Sequence, residues 1–252
     1  MNNEATTLIQ VEDLTVVYGN YTVLKDVSFQ VRQGEVFVIL GGSGCGKSTL
    51  LKHMIGLFEP SAGSVRIDGD NMVGSHPSLR GEILRKLGVM YQSGALFGSM
   101  NLLENVSLPL EEFTRLDRGS IELIARMKLK LVGLEPFAEY MPAEISGGMQ
   151  KRAAIARAMA LDPSILFLDE PSAGLDPVTS AELDALIRNL SRNLGITFVV
   201  VTHELPSIFA IADRVIMLDK STKGIIATGD PNQLKASSPL PAVRQFFNRE
   251  AA

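Results

Sequence analysis

"GEVFVILGGSGCGKST", residues 34–49, joins a run of strand-forming residues to a glycine-rich turn and the start of a helix. Val, Phe and Ile crowd positions 36–40 without polar alternation, as in a strand covered on both faces. Gly41, Gly46, Lys47 and Ser48 then occupy the fixed places of G-x-x-x-x-G-K-[ST]. Gly42, Ser43, Gly44, Cys45 and Thr49 complete a loop whose backbone N–H groups would turn inward as a nest for phosphate oxygens. A helix opening at Lys47 adds the positive end of its dipole. Lys47 would bring its charge to β- and γ-phosphates, and Ser48 a hydroxyl to Mg²⁺. Cys45 lies near that helix start, where a thiol pKa can fall, although a residue at this variable place ordinarily just follows the loop backbone.

Outward from this unit the same pattern repeats. "SILFLD" (164–169), "ITFVVVT" (196–202) and "RVIMLD" (214–219) are short apolar runs bounded by turn residues. The composition predicts helices over 47–57, 147–160 and 178–194. Buried strands alternating with helices imply an α/β fold with a parallel sheet and crossover helices. The first thirty or so residues differ: "LIQVEDLTVVY" and "LKDVSFQV" alternate apolar and polar positions, and "DG" at 68–69 marks a turn. That predicts a half-exposed antiparallel sheet beside the core. Residues from about 100 to 145 are helix-forming and lack strand runs, so they read as an inserted helical subdomain.

Bulk properties narrow the function classes. The 252 residues suffice for one large α/β domain with an insertion. A net charge of −4 lacks the basic footprint of a duplex binder, so no nucleic-acid partner is expected. One cysteine excludes an internal disulfide and fits a reducing compartment. The start MNNEATTLIQ has neither a cationic region nor an apolar one, so no secretory signal is expected. The longest apolar runs fall far short of the ~18 residues of a membrane span.

Two acids end one of the predicted strands. In an open α/β sheet ligands bind at the carboxyl ends of strands, which puts Asp169 and Glu170 at the phosphate edge. Asp169 would hold Mg²⁺, and Glu170 would orient and deprotonate a water attacking the γ-phosphate. Without a phosphate loop in the chain, such a pair would more simply cap a helix. His203 also ends a strand, where it could donate to the γ-phosphate. His53 and His76 have no such placement and read as structural or surface residues. In "ISGGMQKRAAIARAMALDP" (145–163), Ser146, Gly147 and Gly148 open an alanine-rich helix and form a second anion site. With one Lys-bearing loop in the chain, that second site suggests service to another subunit's nucleotide; the alternative is a plain helix cap.

In combination these motifs resemble the ATP-binding-cassette ATPases over nearly the whole chain. "GGSGCGKST" looks like their phosphate loop, "ILFLDE" like their Walker B strand and "SGGMQ" like their signature. "SAGLD" (172–176), ending at Asp176, is similar to their D-loop. Gln92 matches their Q-loop glutamine, His203 their switch histidine, and Tyr18 their adenine-stacking aromatic. The signature departs from the commonest form at Ile145 and Met149. The resemblance implies a RecA-like P-loop core, residues 1–91 and 162–238 with the β-subdomain. It further implies a helical signature subdomain at 92–161 and a tail at 239–252, all within one nucleotide-binding domain. It also implies a head-to-tail dimer of the chain around two ATP and Mg²⁺, with Gln92 joining Ser48 and Asp169 at the metal. In that dimer Ser146, Gly147, Gly148 and Asp176 serve the partner's ATP, and closure drives membrane permease subunits.

"YQSGALFGSMNLLENVSLPL", residues 91–110, sharpens the resemblance to cassette ATPases of the maintenance-of-lipid-asymmetry type. That similarity implies phospholipid movement between inner and outer membranes with an MCE-domain protein. It also implies a small STAS-domain partner and a position on the cytoplasmic face of the inner membrane. Ser93, Leu96 and Phe97 would then line the cleft that receives a permease helix; alternatively Leu96 and Phe97 pack the helical subdomain. Another cargo, such as lipoprotein release or solute import, is the second reading. A soluble repair or translation cassette is disfavoured by the single cassette and absent heptads, and a GTPase by the absence of N-K-x-D.

Overall fold

Two sheets meet across the phosphate-loop strand in the computed structural model, which describes residues 6–249. Residues 1–5 and 250–252, the ends of the expected core and tail, lie outside the described residues. In chain order the elements are β1 (Thr7–Tyr18), β2 (Tyr21–Arg32), β3 (Val36–Gly41), α1 (Lys47–Met54), β4 (Ala62–Ile67) and β5 (Asp70–Asn71). Next come α2 (Pro77–Arg85), β6 (Leu87–Met90), α3 (Leu102–Phe113), α4 (Arg118–Leu131), α5 (Gly147–Ala158) and β7 (Ile165–Asp169). The chain ends with α6 (Pro177–Leu194), β8 (Thr197–Val201), α7 (Leu205–Ile211), β9 (Arg214–Asp219), β10 (Gly224–Gly229), α8 (Pro231–Ser237) and α9 (Pro241–Asn248).

The larger sheet has the order β10-β9-β3-β8-β7-β6, parallel except for β10 at its edge. β3 sits inside it, flanked by β9 and β8. Its side chains divide by the strand period of two. Val36, Val38 and Leu40 pack into a cluster with residues of α3 to α7, while Phe37 and Ile39 pack against α1 and the smaller sheet. Both faces are therefore covered, which is why the run is continuously apolar. Phe37, Phe167 and Phe198 are fully buried, and each such side chain stabilises the fold by about 2–3 kcal/mol.

The smaller sheet, β2-β1-β4-β5, is antiparallel throughout, as the alternation predicts. Asp68 and Gly69 both have positive φ, 52° and 84°, the two-residue hairpin conformation that Asp-Gly favours. The inserted segment forms α3 and α4, and α5 packs against both.

Several boundaries differ from expectation. The helix predicted over 47–57 stops at Met54, because Gly56 at φ 69° lets its own N–H and that of Leu57 turn back to His53 and Lys52 carbonyls. α5 ends at Ala158, short of the expected residue 160. α3 runs through Pro109 rather than breaking there, at the cost of one helical hydrogen bond. β6 is a fifth parallel strand with no advance signal, being four residues long and interrupted by Gly88. A Cβ on Gly88 would stand 2.2 Å from the Ala158 carbonyl oxygen, so close approach of α5 demands glycine there. β10 has no sequence signal either; as a half-exposed antiparallel edge it carries no buried apolar run.

Candidate active site

The carboxyl ends of β3, β8 and β7 lie side by side, and each delivers part of one site. After β3 the loop 41–46 turns through glycines that close contacts and backbone conformation require. A Cβ on Gly41 would lie 2.4 Å from the Leu218 carbonyl oxygen, and one on Gly46 would lie 2.7 Å from Leu24. Gly41, Gly44 and Gly46 have φ of 148°, 74° and 103°. This cradle presents backbone N–H groups at the start of α1, which begins on Lys47 without a side-chain cap and so keeps its first donors free. Lys47 Nζ donates to the carbonyls of Gly41 (2.9 Å) and Gly42 (3.3 Å), folded back over the loop. A shallow cavity of about 180 Å³ lies over Val23, Gly44 and Gly46 to Thr49. Pockets that enclose a small ligand measure about 300–1,000 Å³, so a second surface is needed to close over a nucleotide here.

Cys45 follows the loop with its backbone, the ordinary one of its two expected roles. The thiol is buried against Gly41 in the core cluster, and burial pushes its pKa up rather than down. Only its backbone can face a phosphate.

At the end of β7, Asp169 accepts a hydrogen bond from Ser48 Oγ at 3.4 Å. Burial first, and the Glu170 charge second, raise its pKa, while Ser48, Lys52 and Lys47 oppose the rise. A cation between Ser48 and Asp169 would relieve that cost. Among the described residues no group of three or more His, Cys, Asp or Glu could hold a metal alone. One carboxylate and one hydroxyl suit Mg²⁺, which keeps waters and takes substrate phosphates as ligands. Mg²⁺ therefore fits the donor set.

Glu170 follows in the left-handed region, φ 47°, its N–H held by the Val201 carbonyl at 2.8 Å. It caps no helix: α6 is capped by Asp176, six residues on. Glu170 is 8% exposed. Its Oε1 accepts from His203 Nδ1 at 2.8 Å, and its buried Oε2 has no hydrogen-bond partner. A buried carboxylate oxygen left unpaired is costly unless a donor such as water meets it. With Glu170 ionised, His203 Nδ1 must carry the proton, so Nε2 donates only from the protonated ring.

The remaining expected residues fall in three places. Tyr18 ends β1 half exposed, its ring 6.4 Å from that of His53 on α1. His53 is buried and bonded to the Thr49 carbonyl at 2.7 Å, and His76 caps α2, so neither joins the site. Ser146 caps α5 by accepting from Met149 N, and it and Gly147 are exposed. Among the described residues no hydrogen bond joins Ser146, Gly147 or Gly148 to loop 41–49. Asp176 is occupied by capping Val178, Thr179 and the Thr179 hydroxyl, which lower its pKa. Gln92 is exposed, as is Ser93. Leu96 packs against the core beneath the helices, the plainer of its two expected roles, whereas Phe97 is 50% exposed with the Arg157 guanidinium 5.9 Å from its ring centre. Sequence reasoning does not single out Lys151, whose Nζ donates to the Gln92 carbonyl; on an alanine-rich helix nothing distinguishes it from a solvated lysine.

The family described as ABC transporter matches residues 24–173. The intermembrane phospholipid transport system ATP-binding protein MlaF of Escherichia coli K12 is 39% identical over 248 residues, 98% of this chain and 91% of that protein. A probable ribonucleotide transport ATP-binding protein, mkl, of Mycobacterium leprae is 42% identical over 240 residues, 95% of this chain and 68% of that protein. Among solved structures, a dimeric post-hydrolysis state of the ATP-binding cassette MJ0796, bound to ADP and Pi, is similar with a TM-score of 0.80 and 32% identity. The match covers 88% of this chain and 98% of that one. The cbiO1 protein of Clostridium perfringens, part of a cbiONQ transporter complex, is similar with a TM-score of 0.82 and 27% identity over 97% and 99% of the two chains.

Proposed function

The chain belongs to the ABC transporter ATPases, and from that premise we propose that it hydrolyses ATP between two copies of itself to drive phospholipid transport between bacterial inner and outer membranes. The observation that carries the enzymatic part is the pairing at Glu170: one oxygen is fixed by His203 and the other, buried, is free to take a proton. The loop 41–49 binds the phosphates, and Tyr18, half exposed at the end of β1, stacks on the base. Ser48, Asp169 and Gln92 would hold Mg²⁺, which would supply neutralising charge to the phosphates. Glu170 Oε2 accepts a proton from the attacking water, and His203, once protonated, donates through Nε2 to the γ-phosphate. Lys47 leaves the Gly41 and Gly42 carbonyls to meet the same phosphate.

The dimer is supported by an open site in each copy and by a second anion site with no loop of its own. Ser146, Gly147 and Gly148, with Asp176, would close the partner's nucleotide pocket. A dimer is also the form of the cassette bound to ADP and Pi that this chain resembles. No helix among the described residues is long and apolar enough to cross a membrane. Transport therefore calls for membrane permease subunits, met at the cytoplasmic face by exposed Ser93 and Phe97. An MCE-domain protein and a small STAS-domain protein complete the proposed system.

The name of the mycobacterial relative supports a second reading, a nucleotide or other solute as cargo. The segment 91–110 favours phospholipid. Lipids retained by the complex purified with its permease, measured by mass spectrometry, separate the two; a lipid-free complex stimulated by a ribonucleotide would favour the second. For the enzymatic reading, Glu170→Gln should bind ATP, lose turnover by about 100-fold or more, and elute as a dimer with ATP. Turnover near wild type would remove Glu170 as the base.

A further inference from the structure

Helix α5 opens on the Ser146 cap, which accepts from Met149 N. Five residues on from Ser146, about 7.5 Å along the axis, Lys151 points back into its own chain. The Lys151 residue is 8% exposed, and its Nζ donates to the main-chain carbonyl of Gln92. Lysine is seldom buried this far unless paired. Burial lowers its pKa, and the charges of Asp169 and Glu170 oppose that shift.

The irregular segment after Gln92 has separate anchors. Arg157, near the end of α5, donates to the carbonyls of Ala95 (2.6 Å) and Gly94 (3.1 Å). Asn105, wholly buried on α3, accepts from Phe97 N at 2.8 Å and donates to the carbonyls of Phe97, Met100 and Asn101. Arg157 and Asn105 thus anchor residues 94–101 through hydrogen bonds in which Lys151 takes no part. Among the described residues, Lys151 is the only side chain bonded to the Gln92 backbone.

We propose that Lys151 is a positioning residue for ATP hydrolysis: it holds the Gln92 backbone so that the Gln92 amide meets the metal and the attacking water. The inference rests on the metal role proposed for Gln92. A lysine suits the task because one long cationic side chain can span from the helix to the loop and donate to its main-chain carbonyl. Partners that orient a metal ligand in this way are worth about 10–100-fold in metal affinity or activity.

The test compares K151M, K151R, Q92A and K151M/Q92A in the full chain. Turnover is measured against ATP, and Mn²⁺ affinity by electron paramagnetic resonance with a non-hydrolysable ATP analogue. K151M should lose about 10-fold in kcat and in Mn²⁺ affinity, with KM for ATP and the melting temperature nearly unchanged. K151R, which still donates, should recover most of both. The double variant should be no worse than Q92A, since both remove one function. Should K151M fail to fold, Lys151→Gln, which lacks the reach, takes its place. Wild-type kcat and Mn²⁺ affinity in K151M, or losses that multiply in the double variant, overturn the proposal. Wild-type behaviour in Q92A overturns the role of Gln92 and this inference with it, while loss in Q92A alone overturns only the part given to Lys151.

Discussion

Replacing Asp184 by asparagine should change how stability depends on pH, and the structure gives the size. Asp184 lies in α6 beneath the segment 172–176, is 5% exposed, and has Oδ1 without a hydrogen-bond partner. Ser207 assists it, and Ser207 in turn is 3.4 Å from the Ser172 hydroxyl. Burial pushes the carboxyl up to about 6 from the usual 3.8, against the hydrogen bond from Ser207. A native pKa above the unfolded one means the folded state prefers the protonated acid. Below pH 3.8 both states are protonated and there is no penalty. Between 3.8 and about 6 the unfolded chain ionises first, and above about 6 the folded protein carries the full cost. That cost, from the rise of the carboxyl pKa from 3.8 to about 6, is about 3 kcal/mol.

The amide introduced by D184N does not titrate, so the difference between the two proteins isolates this one group. Urea unfolding at a series of pH values from about 4 to 8 should show D184N gaining on wild type as pH rises, by about 2–3 kcal/mol across the window. Most of the change should fall below about pH 6.5. Wild-type and D184N stabilities that run parallel over that whole range would refute the claim that this buried carboxylate is strained.

Three further outcomes follow from the surroundings of single residues. A Cβ on Gly148 would lie 2.3 Å from Thr179 Cγ2, and Thr179 is itself pinned by a 2.5 Å hydrogen bond to Asp176. Gly148→Ala should therefore destabilise by about 1–3 kcal/mol, and adding Thr179→Ser, which removes the obstructing methyl, should restore the unfolding midpoint. The same Cβ on Gly147 meets only Leu175 at 3.8 Å, so Gly147→Ala should keep wild-type stability, and any lost turnover there measures backbone approach to the partner's phosphate. Phe97→Ala, at a half-exposed ring, should reduce co-purification with the permease while ATP binding by the isolated chain survives; unchanged co-purification would remove Phe97 from the docking surface.

Local chemistry made much of this protein legible in its sequence. The phosphate loop, the strand ending in Asp169 and Glu170, and the Asp-Gly hairpin are short-range features, set by glycine conformation, apolar runs and turn preference within a dozen residues. The order of those motifs sufficed for the family. Tertiary structure alone decided what depends on neighbours distant in sequence. β6 exists because β7 and α5 close over Gly88, which no period in "LGVM" announces. Cys45 faces inward because Gly41 leaves space for its sulfur, and Leu96 and Phe97, adjacent in sequence, part between core and solvent. Above all, the backbone of 92–101 has no helix or strand to satisfy it. Its carbonyls are met instead by Lys151, Arg157 and Asn105, residues up to 63 positions away. A sequence records which donors are available, but only the packed chain determines which acceptor each one reaches, since that depends on distance and burial that the linear order does not carry.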